Sequence, residues 1–276
     1  MSAESRDRSG AVMVLGPSAN AANNTARLVI DFEPGTSTTA RTGPSATGAA
    51  QCSLTFRHTT RVSTERPYEF ATPIGPARAT ISPAGGRKPK RVLVLGHGAG
   101  GGIDARDLVA LAAELPGRGI TVIRVEQPWR VAGKKVAGPP KQLDVAWLAV
   151  CDGLREAGEL AVPFVVGGRS AGARVACRTA LTVGATGVLA LAFPLHPPGK
   201  PGASRVEELV EAGVPTLVVQ GERDPFGGPP EFPAGTRLVP VPEADHGFKV
   251  PARSAVDQAR TLEKLVASVG DWLLSG

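Results

Sequence analysis

The apolar positions from about residue 68 onward form short runs that are separated by segments with helical spacing. Most of these runs are continuous rather than alternating, as in strands of a parallel sheet that is covered on both faces. Such runs, alternating with helices, predict an α/β fold with a mostly parallel central sheet and helices on both faces. The predicted strands are residues 68–72, 77–81, 92–95, 121–125, 164–166, 188–193, 216–219 and 237–241.

Three segments have the spacing of helices that pack one apolar face on a sheet. Leucine and alanine residues recur at this spacing in residues 108–115, and a second pattern in residues 175–183 ends before Gly184. The third runs from Ser254, a candidate N-cap, to about Leu274 and places its leucines and valines on one stripe. We expect this segment to pack on the sheet as the last helix.

The beginning of the chain has a different composition. Residues 1–64 are rich in Ser, Thr, Ala, Asn and Gly, and their apolar stretches at 28–32 and 54–56 are too short to build a core. We therefore predict a disordered or non-native extension over 1–64 and a folded domain over 65–276. Bacterial genes can begin at a valine codon, so a native start at Val62 is a further hypothesis. Peptides upstream of Val62 in the endogenous protein would contradict that start.

The formal net charge of +6 would allow attraction to anionic surfaces. The basic residues are nevertheless scattered, and they cluster only around residues 87–91 and 134–141. Because nucleic-acid-binding proteins normally present a clustered basic face or a recognisable motif, we expect no nucleic-acid partner.

Three cysteines, Cys52, Cys151 and Cys177, give an odd count without CxxC or metal-ligand spacing. This usage favours reduced thiols in a cytoplasm over a disulfide framework. Residues 1–20 contain no long apolar run behind a basic start, and no apolar stretch is long enough to span a bilayer, so we expect neither export nor membrane insertion. No ligand cluster indicates a metal, and we expect no cofactor.

A G-x-S-x-G motif at residues 168–172 lies directly after the apolar run 164–166 and directly before a helical pattern. A strand that turns sharply into a helix at this motif exposes its serine at the end of the strand, so Ser170 is the candidate nucleophile. The positive end of the following helix would favour a developing oxyanion. In a chain with 34 glycines the pentapeptide could also arise by chance.

A glycine-rich turn follows the predicted strand at 92–95. In hydrolases with this motif, such a loop supplies the second oxyanion donor. We predict an oxyanion hole formed by the backbone N–H groups of Ala99 and Ala171, with Gly98 as the less favoured donor and a substrate contact. The loop lacks the G-x-x-x-x-G-K-[ST] pattern and the acidic context of a dinucleotide site, which argues against phosphate binding. His97 is expected to brace the loop.

Asp224 follows the run 216–219, and His246 lies in the loop beyond the next run. The order Ser, Asp, His is that of α/β-hydrolases, and all three side chains stand at strand ends, where sites of open α/β sheets assemble. His246 is therefore the predicted base and Asp224 the acid that orients it. Glu222 and Asp245 are alternative acids, and Asp224 and His246 taken singly could be turn and loop residues without catalytic roles.

With these residues in place, the chain from about residue 65 to its end resembles a group of α/β-hydrolases. This group includes the testis-expressed-thirty protein, a subunit of the non-specific lethal acetyltransferase complex, and bacterial proteins related to dienelactone hydrolases. Ala171 and Ala173 replace the Met and Gly that are frequent there. The segments that carry the resemblance are residues 96–101, 167–176, 193–201 and 220–226.

The resemblance implies an α/β-hydrolase fold, the triad of Ser170, Asp224 and His246, and a hydrolase. The chain between Phe193 and Val214 leaves room for a minimal lid, so His196 is a candidate substrate contact in an open site, although its proline-rich surroundings could equally be a stiff connector. We expect acyl hydrolysis of a small ester or thioester in a bacterial cytoplasm. A non-catalytic interaction module, and a peptidase or acyltransferase with the same triad, are the alternatives.

Overall fold

An eight-stranded sheet runs through the residues that the computed structural model describes, 65–86 and 88–275. Its strand order is β1-β2-β4-β3-β5-β6-β7-β8; β1 and β2 are antiparallel to their neighbours and the other strands are parallel. The extension predicted over residues 1–64 lies outside the described residues. The strands are β1 Arg66–Phe70, β2 Ala77–Ser82, β3 Arg91–Gly96, β4 Ile120–Glu126, β5 Phe164–Arg169, β6 Val188–Leu191, β7 Thr216–Gly221 and β8 Leu238–Val241.

All eight predicted strands are present, with ends displaced by a few residues. The largest difference is at β5, which pairs with its neighbours as far as Arg169, beyond the apolar run that signalled it. Glycines carry no apolar signal, but their main chain still pairs in a ladder. The strand therefore delivers its last residue directly to the turn that holds Ser170.

Helices cover both faces of the sheet, as the sequence predicts. Six α-helices are described: α1 Arg106–Glu114, α2 Pro128–Val131, α3 Pro140–Glu156, α4 Ala171–Thr179, α5 Val206–Val210 and α6 Gln258–Leu274. Two short 3₁₀ helices, Leu115–Arg118 and Pro229–Glu231, complete the helical elements of the described residues.

Two apolar clusters lie on opposite faces of the sheet. One contains residues of α3 and α4, among them the fully enclosed Trp147. The other contains residues of α1 and α6, including Leu265. Neighbouring residues of β3 belong to different clusters, Val94 to the first and Leu95 to the second, because side chains alternate across a strand. Covering both faces explains why the strands are continuous apolar runs.

The helix α3 was not predicted, although its pattern is present in the sequence. Its buried residues recur three or four positions apart, which places them on one stripe facing the sheet. The helix begins at Pro140, the second of two consecutive prolines, in the first turn where proline is favoured. The buried residues are Leu143, Ala146, Trp147, Val150, Cys151 and Leu154.

The last helix begins later than the sequence suggested. The N-cap of α6 is Asp257, whose carboxylate accepts a hydrogen bond of 2.9 Å from the N–H of Arg260. Ser254 was therefore the wrong cap: its hydroxyl accepts instead from the N–H of Val256, within a turn before the helix. Ser and Asp are both strong N-cap residues, so local preference alone does not decide between them.

The described cysteines are enclosed in the core. Cys151 and Cys177 are free thiols, and burial raises the pKa of each to about 12. Such thiols are unreactive near neutral pH. Cys52 lies outside the described residues. No helix in the described part of the chain is long and apolar enough to cross a membrane, and no cluster of three or more His, Cys, Asp or Glu side chains there could hold a metal ion.

The position of the α6 cap can be tested by removing each candidate. Asp257→Ala should lower the free energy of unfolding by about 1 kcal/mol, because the N–H of Arg260 loses its acceptor. The matched control Ser254→Ala should change it by less than about 0.5 kcal/mol. Urea unfolding monitored by circular dichroism measures both. A larger loss for Ser254→Ala than for Asp257→Ala would contradict the assignment.

Candidate active site

Ser170 occupies the turn between β5 and α4 with an unusual backbone conformation. Its φ of 54° and ψ of −111° lie in a region that side chains with a Cβ rarely adopt. Such strain persists only where the surrounding structure enforces it, and it is frequent at functional sites. The conformation places the serine hydroxyl beyond the carboxyl end of the strand, as the G-x-S-x-G motif predicts.

Two glycines of the motif permit this turn because other main chain lies against them. A Cβ on Gly168 would come within 2.5 Å of the Gly96 carbonyl oxygen. A Cβ on Gly172 would lie 2.5 Å from the Gly96 carbonyl and 3.0 Å from the His97 oxygen. Side chains at these positions would push α4 away from the end of β3. The glycines therefore fix the distance between the serine and the loop that follows β3.

The structure brings the three predicted triad residues together. Nε2 of His246 lies 3.0 Å from the hydroxyl of Ser170, and Nδ1 of His246 lies 2.7 Å from Oδ2 of Asp224. Asp224 follows β7 and its side chain is 0% exposed, whereas the His246 side chain is 20% exposed. A buried carboxylate that accepts from Nδ1–H leaves Nε2 unprotonated and directed at the serine hydroxyl.

The alternative acids make other contacts. Glu222 accepts a hydrogen bond from the N–H of Glu243. One carboxylate oxygen of Asp245 accepts from the N–H groups of Gly247 and Lys249, which closes a turn of the loop. The geometry therefore favours Asp224 as the partner of His246.

Asp224 is held by contacts that the sequence did not reveal. Its Oδ2 also accepts a hydrogen bond from Nε2 of Gln220, and its Oδ1 accepts from the N–H of Phe226, each at 2.9 Å. The Phe226 ring packs on the His246 ring, with centroids 4.2 Å apart. Gln220 is fully buried in β7. A polar residue directly after the apolar run 216–219 was the available signal.

The loop after β3 lies beside Ser170. A Cβ on Gly98 would be 3.4 Å from the Cβ of Ser170 and 4.0 Å from its hydroxyl oxygen, so Gly98 borders the nucleophile. Ala171 is the first residue of α4, and an N–H at that position has no acceptor within its own helix. Ala99 and Ala171 line one small cavity. Their N–H groups as oxyanion donors stay a prediction.

His97 connects this loop to the segment after β4. Its Nε2 accepts a hydrogen bond of 3.1 Å from the N–H of Gln127, and its Nδ1–H donates to the Gly98 carbonyl at 2.9 Å. Its ring packs against Trp129. Burial lowers the pKa of His97, which favours the neutral ring that this pattern requires. These contacts agree with a bracing role.

The cavity that Ala99 and Ala171 share is narrow. Its volume is about 10 Å³, room for one water-sized group. Its walls are mostly apolar and are contributed by the end of β3 and the loop after it, by α2 and the segments on either side of it, and by α3 and α4. The remaining lining residues are Gly96, His97, Gln127, Trp129, Ala137, Leu143, Trp147, Gly172 and Val175.

Comparison with known families agrees with this architecture. A family model described as an alpha/beta hydrolase domain matches residues 89–274. The chain belongs to the α/β hydrolase domain family. No curated protein matches this α/β hydrolase in sequence. The narrower resemblance to the testis-expressed-thirty group is not supported by these comparisons and stays a prediction from the motifs.

Solved structures superpose on most of this α/β hydrolase at low sequence identity. An α/β serine hydrolase without lid from Xanthomonas campestris is 20% identical, with a TM-score of 0.57 over 76% of this chain and 95% of that chain. Dienelactone hydrolase from Anabaena variabilis is 16% identical, with a TM-score of 0.58 over 76% and 97%. Est1E from Butyrivibrio proteoclasticus, with ferulic acid bound, is 16% identical, with a TM-score of 0.57 over 75% and 98%. These likenesses confirm the predicted fold.

His196 binds a second loop of this α/β hydrolase. Its Nε2 lies 2.9 Å from a carboxylate oxygen of Glu231, its Nδ1 lies 2.9 Å from the Pro197 carbonyl, and its N–H donates to the Phe226 carbonyl. Both ring nitrogens face acceptors, and only the protonated ring can donate to both. The bonds to Pro197 and then Glu231 raise the pKa of His196. A contact of His196 with substrate stays a prediction.

The pair of His196 and Glu231 should make stability depend on pH. A raised histidine pKa stabilises the folded state fully below the ordinary value of 6.5, and this contribution is lost as the pH rises through the raised value. His196→Gln should therefore be less stable than the wild type near pH 6, and the difference should shrink by about pH 9. Urea unfolding at both values measures it, with Glu231→Gln expected to show the same trend. An unchanged difference would contradict the coupling.

Proposed function

We propose that this α/β hydrolase cleaves small carboxylic esters or thioesters, with Ser170 as nucleophile, His246 as base and Asp224 as orienting acid. The observation that carries the proposal is the continuous path of hydrogen bonds from Asp224 through His246 to the serine hydroxyl, 2.7 and 3.0 Å long. The strained turn at Ser170 adds support. A strained backbone lowers stability, and exposing the serine hydroxyl for reaction is a reason to retain it.

In the first half of the reaction, the hydroxyl oxygen of Ser170 attacks the carbonyl carbon of the ester while Nε2 of His246 accepts the hydroxyl proton. The carbonyl oxygen becomes negative beside the N–H groups of Ala99 and Ala171, which stabilise it as an oxyanion. Asp224 stabilises the charged imidazolium through Nδ1–H. His246 then returns the proton to the leaving alcohol or thiol, and the acyl group stays on Ser170.

In the second half, water takes the place of the leaving group. His246 accepts a proton from the water as its oxygen attacks the acyl carbon, and the bond to the Ser170 oxygen breaks. The carboxylic acid leaves and the serine regains its proton from His246. The two steps consume one ester and one water and release one acid and one alcohol, or a thiol for a thioester.

The relatives are consistent with ester chemistry. The structural neighbours of this chain include a serine hydrolase without lid and a dienelactone hydrolase. Among the described residues, the segment between β6 and β7 carries only the five-residue helix α5, so an open site for a small substrate is part of the proposal. A non-catalytic module would have no use for a strained serine aligned with a half-buried histidine and a buried acid.

The same triad would also serve a peptidase or an acyltransferase. These enzymes differ from an esterase in the leaving group or in the molecule that accepts the acyl group. The triad selects neither of them. An open site gives water free access to the acyl-enzyme, which favours hydrolysis over transfer. A bacterial source, a cytoplasmic location and the resemblance to the testis-expressed-thirty group stay predictions.

Labelling with a fluorophosphonate probe tests the nucleophile. The folded wild type should label, and Ser170→Ala should not. With p-nitrophenyl acetate as substrate, Ser170→Ala and His246→Ala should each lower kcat by roughly 10⁴- to 10⁶-fold, because either loss disables the proton-coupled attack. Absence of labelling in the folded wild type would overturn the proposal, and full activity of His246→Ala would show that another residue is the base.

The narrow cavity predicts a preference for short acyl groups. The prediction takes the cavity beside Ala99 and Ala171, the proposed oxyanion donors, as the acyl pocket. Activity, measured as kcat/KM, should then fall by roughly tenfold or more from p-nitrophenyl acetate to the hexanoate, because about 10 Å³ leaves room for one small group. Val175→Ala widens the cavity and should favour the propionate and butyrate relative to the acetate. Val150→Ala removes the same groups from the core away from the cavity and serves as the matched control. An unaltered chain-length profile in Val175→Ala would contradict this preference.

A further inference from the structure

Arg169, the residue before the serine, connects the nucleophile strand to the loop that carries the base. Its Nη2 donates a hydrogen bond of 2.9 Å to the backbone carbonyl of His246. Its side chain is 19% exposed, and its Nε lies 3.8 Å from Oδ2 of Asp107. The motif G-x-S-x-G leaves this position open to any residue, so the sequence pattern assigns it no role.

Asp107 is a buried acid that the proposed reaction does not use. It lies in the first turn of α1 with 0% exposure, and neither carboxylate oxygen has a hydrogen-bond partner among the described residues. Burial raises the pKa of Asp107, and the Arg169 charge opposes that rise. A buried carboxylate without hydrogen bonds is costly, and the Arg169 guanidinium, 3.8 Å away, is the cation placed to offset this cost.

The loop around His246 has three other kinds of hydrogen bond. The Asp245 carboxylate accepts from Gly247 and Lys249 within the loop, and the Ala244 carbonyl accepts from the N–H of Arg223 in the turn of the acid. Gln258, the first residue of α6, donates to the Phe248 carbonyl. None of these contacts joins the loop to the strand of the nucleophile. The bond from Arg169 ties it to the strand of the nucleophile, one residue from the serine.

We propose that Arg169 is a positioning residue that holds the His246 loop at the correct distance from Ser170, and that Asp107 is the counter-ion that fixes the Arg169 side chain. The inference rests on the proposed function of Ser170 and His246. Arg169 touches neither the substrate nor the reacting atoms. It acts through the His246 backbone, where a displacement of about 1 Å can cost on the order of 100-fold in rate.

The first test compares a variant that removes the guanidinium with one that keeps a cation. Arg169→Met should lower kcat for p-nitrophenyl acetate by roughly 10- to 100-fold with KM nearly unchanged, because orientation of the base is lost and substrate contacts are not. The rate of fluorophosphonate labelling should fall by the same factor. Arg169→Lys should recover part of the loss, since its ammonium can donate to the same carbonyl. Arg78→Met, which removes an exposed pair on β2, is the matched control and should retain full activity.

The second test supplies the missing group from solution. In Arg169→Ala, added guanidinium ion should raise kcat, whereas an equal concentration of sodium chloride should not. Asp107→Asn should lower kcat when Arg169 is present and have a much smaller effect in the Arg169→Met background, because coupled residues are not additive. Thermal unfolding of every variant separates loss of fold from loss of positioning.

The outcomes distinguish this inference from the proposed function. If the wild type does not label, the serine hydrolase proposal fails and Arg169 has no reaction to support. If the wild type labels and a folded Arg169→Met labels at the same rate, the positioning role is overturned while the hydrolase proposal stands. A loss in Arg169→Met that appears in KM alone would also overturn it, because a positioning residue acts on kcat.

Discussion

At the carboxyl end of the sheet, the first turn of α4 lies against the end of β3 so closely that Gly172 has no space for a Cβ beside Gly96. This contact between two main chains forces the chain to turn sharply at Ser170, whose φ of 54° would otherwise be unfavourable. It also sets the loop after β3 next to the serine. The strain is local, and the packed sheet and its helices on both faces supply the stability that maintains it.

A second constraint is the burial of polar groups around the three candidate catalytic residues. Asp224 is enclosed and accepts hydrogen bonds from Gln220 and Phe226 as well as facing His246. Buried polar groups without partners are costly, so a site that encloses a carboxyl group must surround it with hydrogen-bond donors. The donor of Gln220 comes from the strand before the turn, which explains why β7 carries a buried polar residue directly after its apolar run.

The parts of the fold that follow from local pattern could be predicted, and those that depend on distant contacts could not. Continuous apolar runs indicated the strands because burial on both faces leaves a signal in each strand separately. Motif spacing and chain order suggested Ser170, Asp224 and His246, which the structure brings together. The cap of α6 was assigned to Ser254 instead of Asp257 because both residue types cap helices and only packing selects one. The apolar stripe of α3 is also a local pattern, but no helix was predicted from it.

The contact between Arg169 and the His246 carbonyl joins residues 77 positions apart in sequence. No periodicity relates them, and the motif treats Arg169 as a free position. The local sequence pattern does not show the order of strands in the sheet. The end of β5 and the loop after β8 meet because the strands are arranged as β5-β6-β7-β8 with their carboxyl ends at the same edge. The nucleophile, acid and base then come from the ends of β5, β7 and β8. Gln220 joins the acid to the segment after β6 through its bonds to Asp224 and to the Phe193 carbonyl. Arg169, paired with the buried Asp107, joins β5 to the loop of the base.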